Sequence, residues 1–330
     1  MKKILAMTSA LILSLASSQA RTWTSSDGRT LEGDLVRVEG EIAIIKVKGK
    51  SLRIPFSKLS EKDVAFLKEQ AEKAKVGTNR LFGLELKSGT FLDFQDSLKE
   101  PMQKLLAAKD FAPTKIKVRM SIPQGFDPLK PQKVLWMVGS FDNSAEIKLG
   151  NIGVFDRGES ALEKGWIIIA ADTNMGNPRR SEKKTSEGDA EFHYFLINEL
   201  EKAWPEVRRW KHACAGHSTG AEATFFRVAQ LLKADVNVVG GFFSGCQKGM
   251  TRMASSECRL SSRQWSKVKA FQSTGDNDGL VKPSDIKRVS EELKRGGVKQ
   301  IVAKTFPGNH TMSDDLFKEA LDWFEKEEAQ

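Results

Sequence analysis

The feature that most constrains the fold is a regular alternation of apolar runs with helical patterns after residue 115. The apolar runs are rich in β-branched residues and occupy residues 118–122, 134–138, 166–171, 236–243, 268–272 and 301–306. Segments with helical spacing follow several of them, at 192–203, 220–232, 283–295 and 313–325. Strands buried on both faces read as continuous apolar runs, and their alternation with helices indicates a mainly parallel sheet. We therefore predict an α/β fold for residues 115–330, with helices on both faces of the sheet.

A second feature is the pentapeptide Gly-His-Ser-Thr-Gly at residues 216–220. A short apolar run precedes it and a helical pattern follows it, which predicts a strand, a tight turn and a helix. Glycine on both sides permits strained backbone angles and a close approach of strand and helix, so that the hydroxyl of Ser218 projects beyond the sheet. Ser218 is thus a candidate nucleophile. Because glycine and serine are common residues, the evidence for this role comes mainly from the context.

That context is the position of other polar residues relative to the predicted strands. In α/β folds, ligands bind at the carboxyl ends of the strands. Ser218 occupies such a position, an acidic turn with Asp276 and Asp278 follows the strand at 268–272, and His310 follows the strand at 301–306. A serine hydroxyl becomes nucleophilic when a neutral imidazole accepts its proton, and a buried carboxylate orients that imidazole. The order Ser, Asp, His therefore predicts a catalytic triad, with the acid open between Asp276 and Asp278.

Residues 115–330 resemble the α/β-hydrolase fold, especially secreted esterases and depolymerases of the feruloyl-esterase and polyhydroxyalkanoate-depolymerase kind. The motifs that carry the resemblance are Ile-Pro-Gln-Gly-Phe-Asp-Pro at 122–128, Gly-Trp-Ile-Ile-Ile-Ala-Ala-Asp at 165–172, the serine turn, Gly-x-x-Asp at 275–278 and Gly-Asn-His at 308–310. The resemblance implies an ester hydrolase that works through an acyl-enzyme, with Ser218 as nucleophile, Asp278 as acid and His310 as base. Asp276 is then a turn former.

The resemblance also implies an oxyanion hole of backbone N–H groups. One donor is expected from Thr219 and the other from the turn after Gly139, where Ser140 is the first choice and Phe141 the alternative. Relatives commonly have His-Gly where this chain has Val138 and Gly139. The second donor therefore stays open between the two residues.

The amino terminus has the pattern of a secretory signal peptide at residues 1–20. Lys2 and Lys3 precede an apolar run from residue 4 to about 16, and Ser18-Gln19-Ala20 has small residues at the positions that cleavage requires. The run is too short for a stable membrane span, and no later stretch is long and apolar enough for a membrane anchor. We expect cleavage after Ala20 and a secreted or periplasmic protein.

Residues 21–75 predict a small β-barrel followed by a helix. Short β-rich runs alternate with turns up to residue 56, and Ser60 begins a helical pattern as its cap. Arg-Thr-Trp-Thr-Ser at 21–25 and Ile-Pro-Phe-Ser-Lys-Leu-Ser at 54–60 resemble the SH3-like homology domain of a yeast endocytic adaptor. In the adaptor this domain binds short peptides. The resemblance implies the fold here, and a peptide or protein ligand is left open. Residues 76–114 are interpreted as a connector that merges into the second domain. Within it, residues 82–94 predict a strand pair around Ser88-Gly89 and residues 101–109 predict a helix.

Charge and composition exclude several classes of function. Without Lys2 and Lys3 the net charge falls from +9 to +7, and this surplus is expected to be spread rather than gathered on one face, which argues against a nucleic-acid partner. No His and Cys grouping suited to a metal and no phosphate-binding glycine-rich motif occurs in the sequence, so no cofactor is expected. His193 and His212 are interpreted as structural residues, and His217 as packing or hydrogen bonding under the serine turn.

The expected partner is a small-molecule or polysaccharide-linked ester. Two alternatives remain open, a serine peptidase of the same fold and a non-catalytic binding protein that acts through the small domain. A disulfide between Cys246 and Cys258 is also open, while Cys214 is expected to be a buried free thiol.

Overall fold

The computed structural model describes residues 10–12, 21–47, 50–75, 80–81, 84–97, 115–139, 158–173 and 183–326. They belong to two compact units, one of residues 1–85 with 199–207 and one of residues 86–198 with 208–330. Within these ranges no helix has the length and apolar character needed to cross a membrane.

The smaller unit is built on a small antiparallel sheet. Its strands are β1 (Ala10–Ile12), β2 (Arg21–Thr24), β3 (Thr30–Glu39), β4 (Ile42–Val47) and β5 (Lys50–Pro55). The strand order is β1-β3-β4-β5, and β2 pairs with the other part of β3. An isolated bridge between Ser25 and Leu59 joins the end of β2 to the chain after β5. The predicted β-rich small unit is therefore an antiparallel sheet, and its closure into an SH3-like barrel stays a prediction. β1 lies in the segment interpreted as a signal peptide, whose removal remains a prediction.

The helix α1 (Glu61–Lys75) begins where the sequence predicts, directly after Ser60. Ser60 Oγ accepts a hydrogen bond from the backbone N–H of Asp63 at 3.2 Å, which caps the helix. The Asp63 carboxylate accepts hydrogen bonds from the Arg21 guanidinium and from the backbone N–H of Thr24, both at 2.7 Å. These contacts connect β2 to the start of α1. In the core of this sheet, the buried Trp23 ring donates through Nε1 to the carbonyl of Gly33 at 2.9 Å.

The larger unit contains an eight-stranded sheet. Its strands are β8 (Phe91–Ser97), β9 (Lys115–Ser121), β10 (Lys133–Val138), β11 (Trp166–Thr173), β12 (Lys211–His217), β13 (Val238–Ser244), β14 (Lys269–Gly275) and β15 (Gln300–Phe306). A separate short hairpin consists of β6 (Arg80–Leu81) and β7 (Leu84–Glu85). The sheet order is β15-β14-β13-β12-β10-β11-β9-β8. The six strands from β15 to β11 are parallel to one another. β9 is antiparallel to both of its neighbours, β11 and β8. The predicted α/β class and mainly parallel sheet are confirmed.

β8 lies inside the region that the sequence predicts as a connector. It pairs with β9 over all seven residues and extends the sheet by one strand. The larger unit begins at Leu86 rather than at residue 115. The helix expected within residues 101–109 lies outside the described residues.

Seven helices of the described chain accompany the larger sheet. They are α2 (Glu159–Glu163), α3 (Lys183–Ala203), α4 (Thr219–Lys233), α5 (Thr251–Cys258), α6 (Ser262–Trp265), α7 (Pro283–Gly296) and α8 (Asp314–Glu325). Phe225 of α4 stacks on Phe243 of β13 with ring centroids 4.2 Å apart. Gly240 of β13 leaves the space that Phe324 of α8 fills, since a Cβ at Gly240 would lie 2.3 Å from that ring. These contacts bury the central strands and present their carboxyl ends at one edge.

At the opposite edge, lysines of three strands hold the end of α8. Lys269 donates to the carbonyl oxygens of Trp323 and Lys326 at 2.9 and 2.6 Å. Lys211 donates to the Glu325 carbonyl at 2.9 Å, and Lys133 to its carboxylate at 2.8 Å. The last carbonyls of a helix lack intrahelical partners and carry partial negative charge, so these lysines satisfy and stabilise them.

Candidate active site

The turn between β12 and α4 holds Ser218 in a strained conformation. Its φ is 57° and its ψ is −126°, a combination that a residue with a side chain rarely adopts. The backbone N–H of Ser218 donates to the carbonyl of Ser244 at 2.8 Å, which connects the turn to the end of β13. The two flanking glycines are sterically required: a Cβ at Gly216 would lie 2.4 Å from the Gly220 carbonyl oxygen, and one at Gly220 would lie 2.6 Å from the Val138 carbonyl oxygen.

Asp278 and His310 form a hydrogen-bonded pair beyond the ends of β14 and β15. His310 Nδ1 lies 2.7 Å from Asp278 Oδ2, and only 1% of the Asp278 side chain is exposed. The other carboxylate oxygen accepts hydrogen bonds from the backbone N–H groups of Leu280 and Val281 at 2.8 and 2.9 Å. Burial raises the pKa of Asp278, but the bonds from His310, Val281 and Leu280 together outweigh it and hold the pKa below its usual value. The carboxylate is therefore ionised at neutral pH.

Asp276, the other acid that the sequence leaves open, has a different environment. It is exposed, and its Oδ1 accepts hydrogen bonds from the backbone N–H of Gly308 and from the side chain of Asn277, each at 3.0 Å. Gly275 brings this turn against the next loop, since a Cβ there would lie 2.3 Å from the carbonyl oxygens of Gly308 and Asn309. Asp276 thus shapes the turn while Asp278 contacts the histidine.

The second nitrogen of His310 is the one available for proton transfer. Nε2 is buried and has no hydrogen-bond partner among the described residues, so it is not hydrogen-bonded to Ser218 Oγ in this structure. The ring lies over Gly245, where a Cβ would be 3.0 Å from His310 Cε1. Gly245 directly follows Ser244, whose carbonyl holds the Ser218 turn. His310 therefore lies beside the strand end that positions Ser218. In enzymes without bound substrate, hydrogen bonds between catalytic groups often form only when substrate binds.

In α/β-hydrolases a serine lies at a strained turn between a strand and a helix. An aspartate and then a histidine follow it along the chain, beyond the ends of later strands. The larger unit has the α/β-hydrolase fold.

Ser244 lies at the candidate site and was not predicted from the sequence. It pairs with His217 in the parallel register of β12 and β13 and is fully buried. Its hydroxyl lies 3.1 Å from His217 Nδ1 and 3.5 Å from the carbonyl oxygen of Thr311, the neighbour of the base. The only sequence signal was its place at the end of an apolar run, which any strand end shares.

His217 contacts the base directly. Its ring centroid is 4.6 Å from that of His310, with the planes tilted by 46°. The sequence predicts that His217 packs and forms hydrogen bonds under the turn. The structure shows both kinds of contact, to His310 and to Ser244.

The two residues assigned to the oxyanion hole differ in what the structure describes. Thr219 is the first residue of α4, so its N–H is one of the four amides at the start of a helix that have no intrahelical acceptor. Such amides attract negative charge, as an oxyanion donor must. Ser140 and its alternative Phe141 lie outside the described residues.

The remaining histidines and the cysteines have structural environments. His193 is buried with Nδ1 2.8 Å from the Asp189 carbonyl oxygen, and His212 is buried with Nδ1 accepting from Trp136 Nε1 at 3.0 Å. Cys214, Cys246 and Cys258 are separate buried thiols, so this structure has no bridge between Cys246 and Cys258. In the described part of the chain, no three His, Cys, Asp or Glu side chains are grouped to hold a metal ion.

No protein-family model matches this sequence, and no curated protein is detectably similar to it. Among solved structures, an α-β serine hydrolase homologue from Coxiella burnetii aligns at 12% identity and a TM-score of 0.47, covering 73% of this chain and 98% of its own. S-formylglutathione hydrolase (FrmB) from Staphylococcus aureus aligns at 15% identity and a TM-score of 0.41, covering 73% and 99%.

A putative dipeptidyl aminopeptidase IV from Bacteroides ovatus aligns at 13% identity and a TM-score of 0.48 over 93% of this chain. The chain spans only 43% of the length of that protein. Similarity at these levels says nothing about the substrate. The α/β-hydrolase fold is identified from the strand order and from the strained turn at Ser218.

Proposed function

We propose that this chain is a serine hydrolase that cleaves carboxylic esters, with Ser218 as nucleophile, His310 as base and Asp278 as acid. The observation that carries the proposal is the hydrogen bond between the buried Asp278 carboxylate and His310, whose Nε2 has no hydrogen-bond partner among the described residues and whose ring lies beside the strand end that holds Ser218. No metal or cofactor takes part in the proposed reaction.

The geometry supports a two-step mechanism. Ser218 Oγ attacks the ester carbonyl carbon while His310 Nε2 accepts the hydroxyl proton, and the Asp278 carboxylate stabilises the resulting imidazolium. The backbone N–H of Thr219, with Ser140 as the second donor, binds the oxyanion of the tetrahedral intermediate. The intermediate expels the alcohol, which takes the proton from His310, and leaves an acyl-serine. Water activated by the same histidine then releases the acid.

The decisive experiment is covalent labelling of the serine. We expect a fluorophosphonate probe to label the wild-type protein and to leave Ser218→Ala unlabelled, because only an activated serine attacks the probe. Ser284→Ala removes an exposed hydroxyl at the start of α7 and serves as the matched control that keeps its labelling. A folded wild-type protein that resists the probe would contradict the proposal.

The same triad can attack amides, so substrate assays separate esterase from peptidase. Aryl esters with acetyl, feruloyl and longer acyl groups are compared with peptide anilides. We expect kcat/KM for the aryl esters to exceed kcat/KM for the peptide anilides. Faster amide cleavage would make the chain a peptidase, and a protein inactive on both would leave binding through the small sheet as its function.

We also propose that the enzyme works outside the cytoplasm. The support is the signal-peptide pattern of residues 1–20. Amino-terminal sequencing of protein exported from bacterial cells should start at Arg21. A chain that retains residues 1–20 in the cytoplasm would overturn this part of the proposal.

A further inference from the structure

Positive charge is concentrated in one stretch of the α/β-hydrolase unit. Residues 248–299 contain twelve Lys and Arg against six Asp and Glu, and eleven of the twelve basic side chains are exposed. The positive surplus is expected from the sequence to be spread, yet these 52 residues alone have a net charge of 12 − 6 = +6. More than half of the net charge of +9 lies in this stretch.

Helix α7 carries the centre of this charge. Its exposed face includes Lys287, Arg288, Lys294 and Arg295, with Glu291 as the one acid among them. Arg288 pairs with Asp285 at 2.7 Å and Arg295 with Glu291 at 3.6 Å. Lys287 and Lys294 have no ion pair within the described residues. They are two helical turns apart, which places them about 10 Å from one another along the helix.

Contacts with the chain after β13 extend the positive face. Glu292 of α7 points away from solvent and accepts hydrogen bonds from the backbone N–H groups of Thr251 and Arg252 at 3.1 and 2.9 Å. A Cβ at Gly296 would lie 2.3 Å from the Thr251 side chain. The exposed side chains of Lys248 and Arg252 therefore lie next to α7. The carboxylate of Glu292 is bound to the first amides of α5.

The positive face continues to the rim of the catalytic site. Gln247 donates to the carbonyl of Leu280 at 2.6 Å and accepts from Arg288 at 2.9 Å, which joins α7, the loop after β13 and the loop after β14. The loop after β14 contains Asp278, and it ends at the exposed Lys282. We call the six side chains that follow the cationic surface: Lys248, Arg252, Lys282, Lys287, Arg288 and Lys294.

We propose that the cationic surface binds an acidic polysaccharide, a polymer with repeated carboxylates, and presents its ester groups to Ser218. The inference rests on the proposed ester hydrolysis for its biological meaning. Cations distributed over two turns of α7, the start of α5 and two adjoining loops suit a chain with repeated charges rather than one small anion. Such a surface also raises the local concentration of an anionic substrate at the site.

The chemistry of the surface favours a polysaccharide over the other common polyanions. The two aromatic residues of this stretch, Trp265 and Phe271, are both buried, so no ring is offered for stacking on bases. Its exposed large apolar side chains are Met253 and Leu280, which falls short of the continuous apolar face that holds a helix in a lipid surface. A nucleic acid also lacks the carboxylic ester that the triad would cleave.

The test measures polymer binding separately from catalysis. Full-length Ser218→Ala protein is titrated with polygalacturonate, with neutral dextran, with duplex DNA and with vesicles of anionic phospholipid. We expect binding to polygalacturonate alone, weakened about tenfold or more between about 50 and 200 mM NaCl because bound counterions are released on binding. Tighter binding to DNA or to vesicles would overturn the assignment to a polysaccharide.

Charge reversal identifies the surface. In the Ser218→Ala background, Lys287→Glu with Lys294→Glu should weaken polygalacturonate binding about tenfold. Lys233→Glu with Lys318→Glu changes the net charge equally at exposed positions of α4 and α8, and should change binding less than twofold. Equal effects of the two pairs would refute the proposed surface.

Failure of this inference is distinguishable from failure of the proposed function. A wild-type protein that cleaves neutral aryl esters while Ser218→Ala ignores polygalacturonate would refute the surface and keep the enzyme. Binding of polygalacturonate by Ser218→Ala, with no labelling of the wild type by the fluorophosphonate probe, would keep the surface and refute the enzyme.

Discussion

At the residue scale, chemical role follows from environment rather than from residue type. Asp276 and Asp278 lie two positions apart in one turn, yet one is exposed and bonded to a loop amide while the other is buried against His310. A carboxylate orients an imidazole only where it accepts the Nδ1 proton, so the two acids should have unequal weight in catalysis.

Substitution of the two acids tests this difference. Asp278→Asn should lower kcat/KM on aryl esters by about 10³-fold or more, because the imidazole loses its fixed tautomer and its counter-charge. Asp276→Asn removes one exposed carboxylate from the same turn and should cost less than about tenfold. Steady-state kinetics of both variants decide the matter, and a larger loss for Asp276→Asn would reverse the assignment.

A buried histidine makes stability depend on pH. Burial, with help from the positive charge of Arg227, lowers the pKa of His193 to about 3, although Asp189 acts in the opposite direction. An unfolded histidine has a pKa of about 6.5. Between about pH 6.5 and 3 the unfolded chain holds a proton that the folded chain does not. The free energy of unfolding should therefore fall by roughly 1.4 kcal/mol for each pH unit in that window as pH decreases.

The variant His193→Gln lacks this titration. Its unfolding free energy should be lower than that of the wild type at pH 7, and the difference should shrink as pH decreases to 4. Urea unfolding at several pH values measures both curves. Curves that stay parallel over the whole range would contradict a neutral buried His193.

At the scale of elements, most strands and helices could be predicted because each has a local signature. The apolar runs at 166–171 and 301–306 become β11 and β15, and the patterns at 220–232 and 283–295 become α4 and α7. β8 could be predicted only in part: the strand pair expected at 82–94 covers its first four residues, but its pairing with β9 could not be predicted, because an edge strand is defined by its partner and not by an apolar run of its own. The first turns of α3 were missed for a related reason, since residues 183–190 are mostly polar or small.

The candidate site shows the same division between local and non-local information. The positions of Ser218, Asp278 and His310 could be predicted because each lies just beyond a recognisable strand, while their catalytic roles stay a prediction. Ser244 could not, since its role arises from the register that pairs it with His217 across two strands. The cationic surface consists of charges visible in the sequence, but their assembly depends on the packing of α7 against the loops beside it.

The carboxyl end of α8 gives a test at this scale. Lys269→Met keeps the apolar length of the side chain but leaves the carbonyl oxygens of Trp323 and Lys326 without their charged donor. We expect the free energy of unfolding to decrease by about 2 kcal/mol, as for other hydrogen bonds to charged groups.

The control for this substitution is Lys267→Met, two residues away. Lys267 is exposed, so the change should be within about 0.5 kcal/mol. Chemical denaturation of both variants gives the comparison. Equal destabilisation would mean that the lysine contacts at the end of α8 contribute little.

At the scale of the whole molecule, the three cysteines form no covalent cross-link in this structure. The three thiols are separate and buried, and burial raises the pKa of Cys214 to about 12 and that of Cys258 to about 11. A thiol is reactive as its thiolate, so the native protein should resist thiol reagents at neutral pH.

Thiol titration measures this directly. Native protein should react with no thiol within minutes, protein in denaturant should react with three, and a reducing agent should leave the melting temperature unchanged. Detection of a single thiol in denaturant would reveal a bridge between Cys246 and Cys258.

The position of Ser244 has a consequence for how the site tolerates motion. One strand end holds the nucleophile through its carbonyl, contacts His217 through its hydroxyl and lies next to the glycine under the base. Because the Ser218 amide and the His310 ring both contact residues 244–245, we expect a displacement of the end of β13 to move the serine and the histidine together. Surrounding loops can then diverge in length and composition to accept new substrates while the alignment of serine and histidine is inherited unchanged.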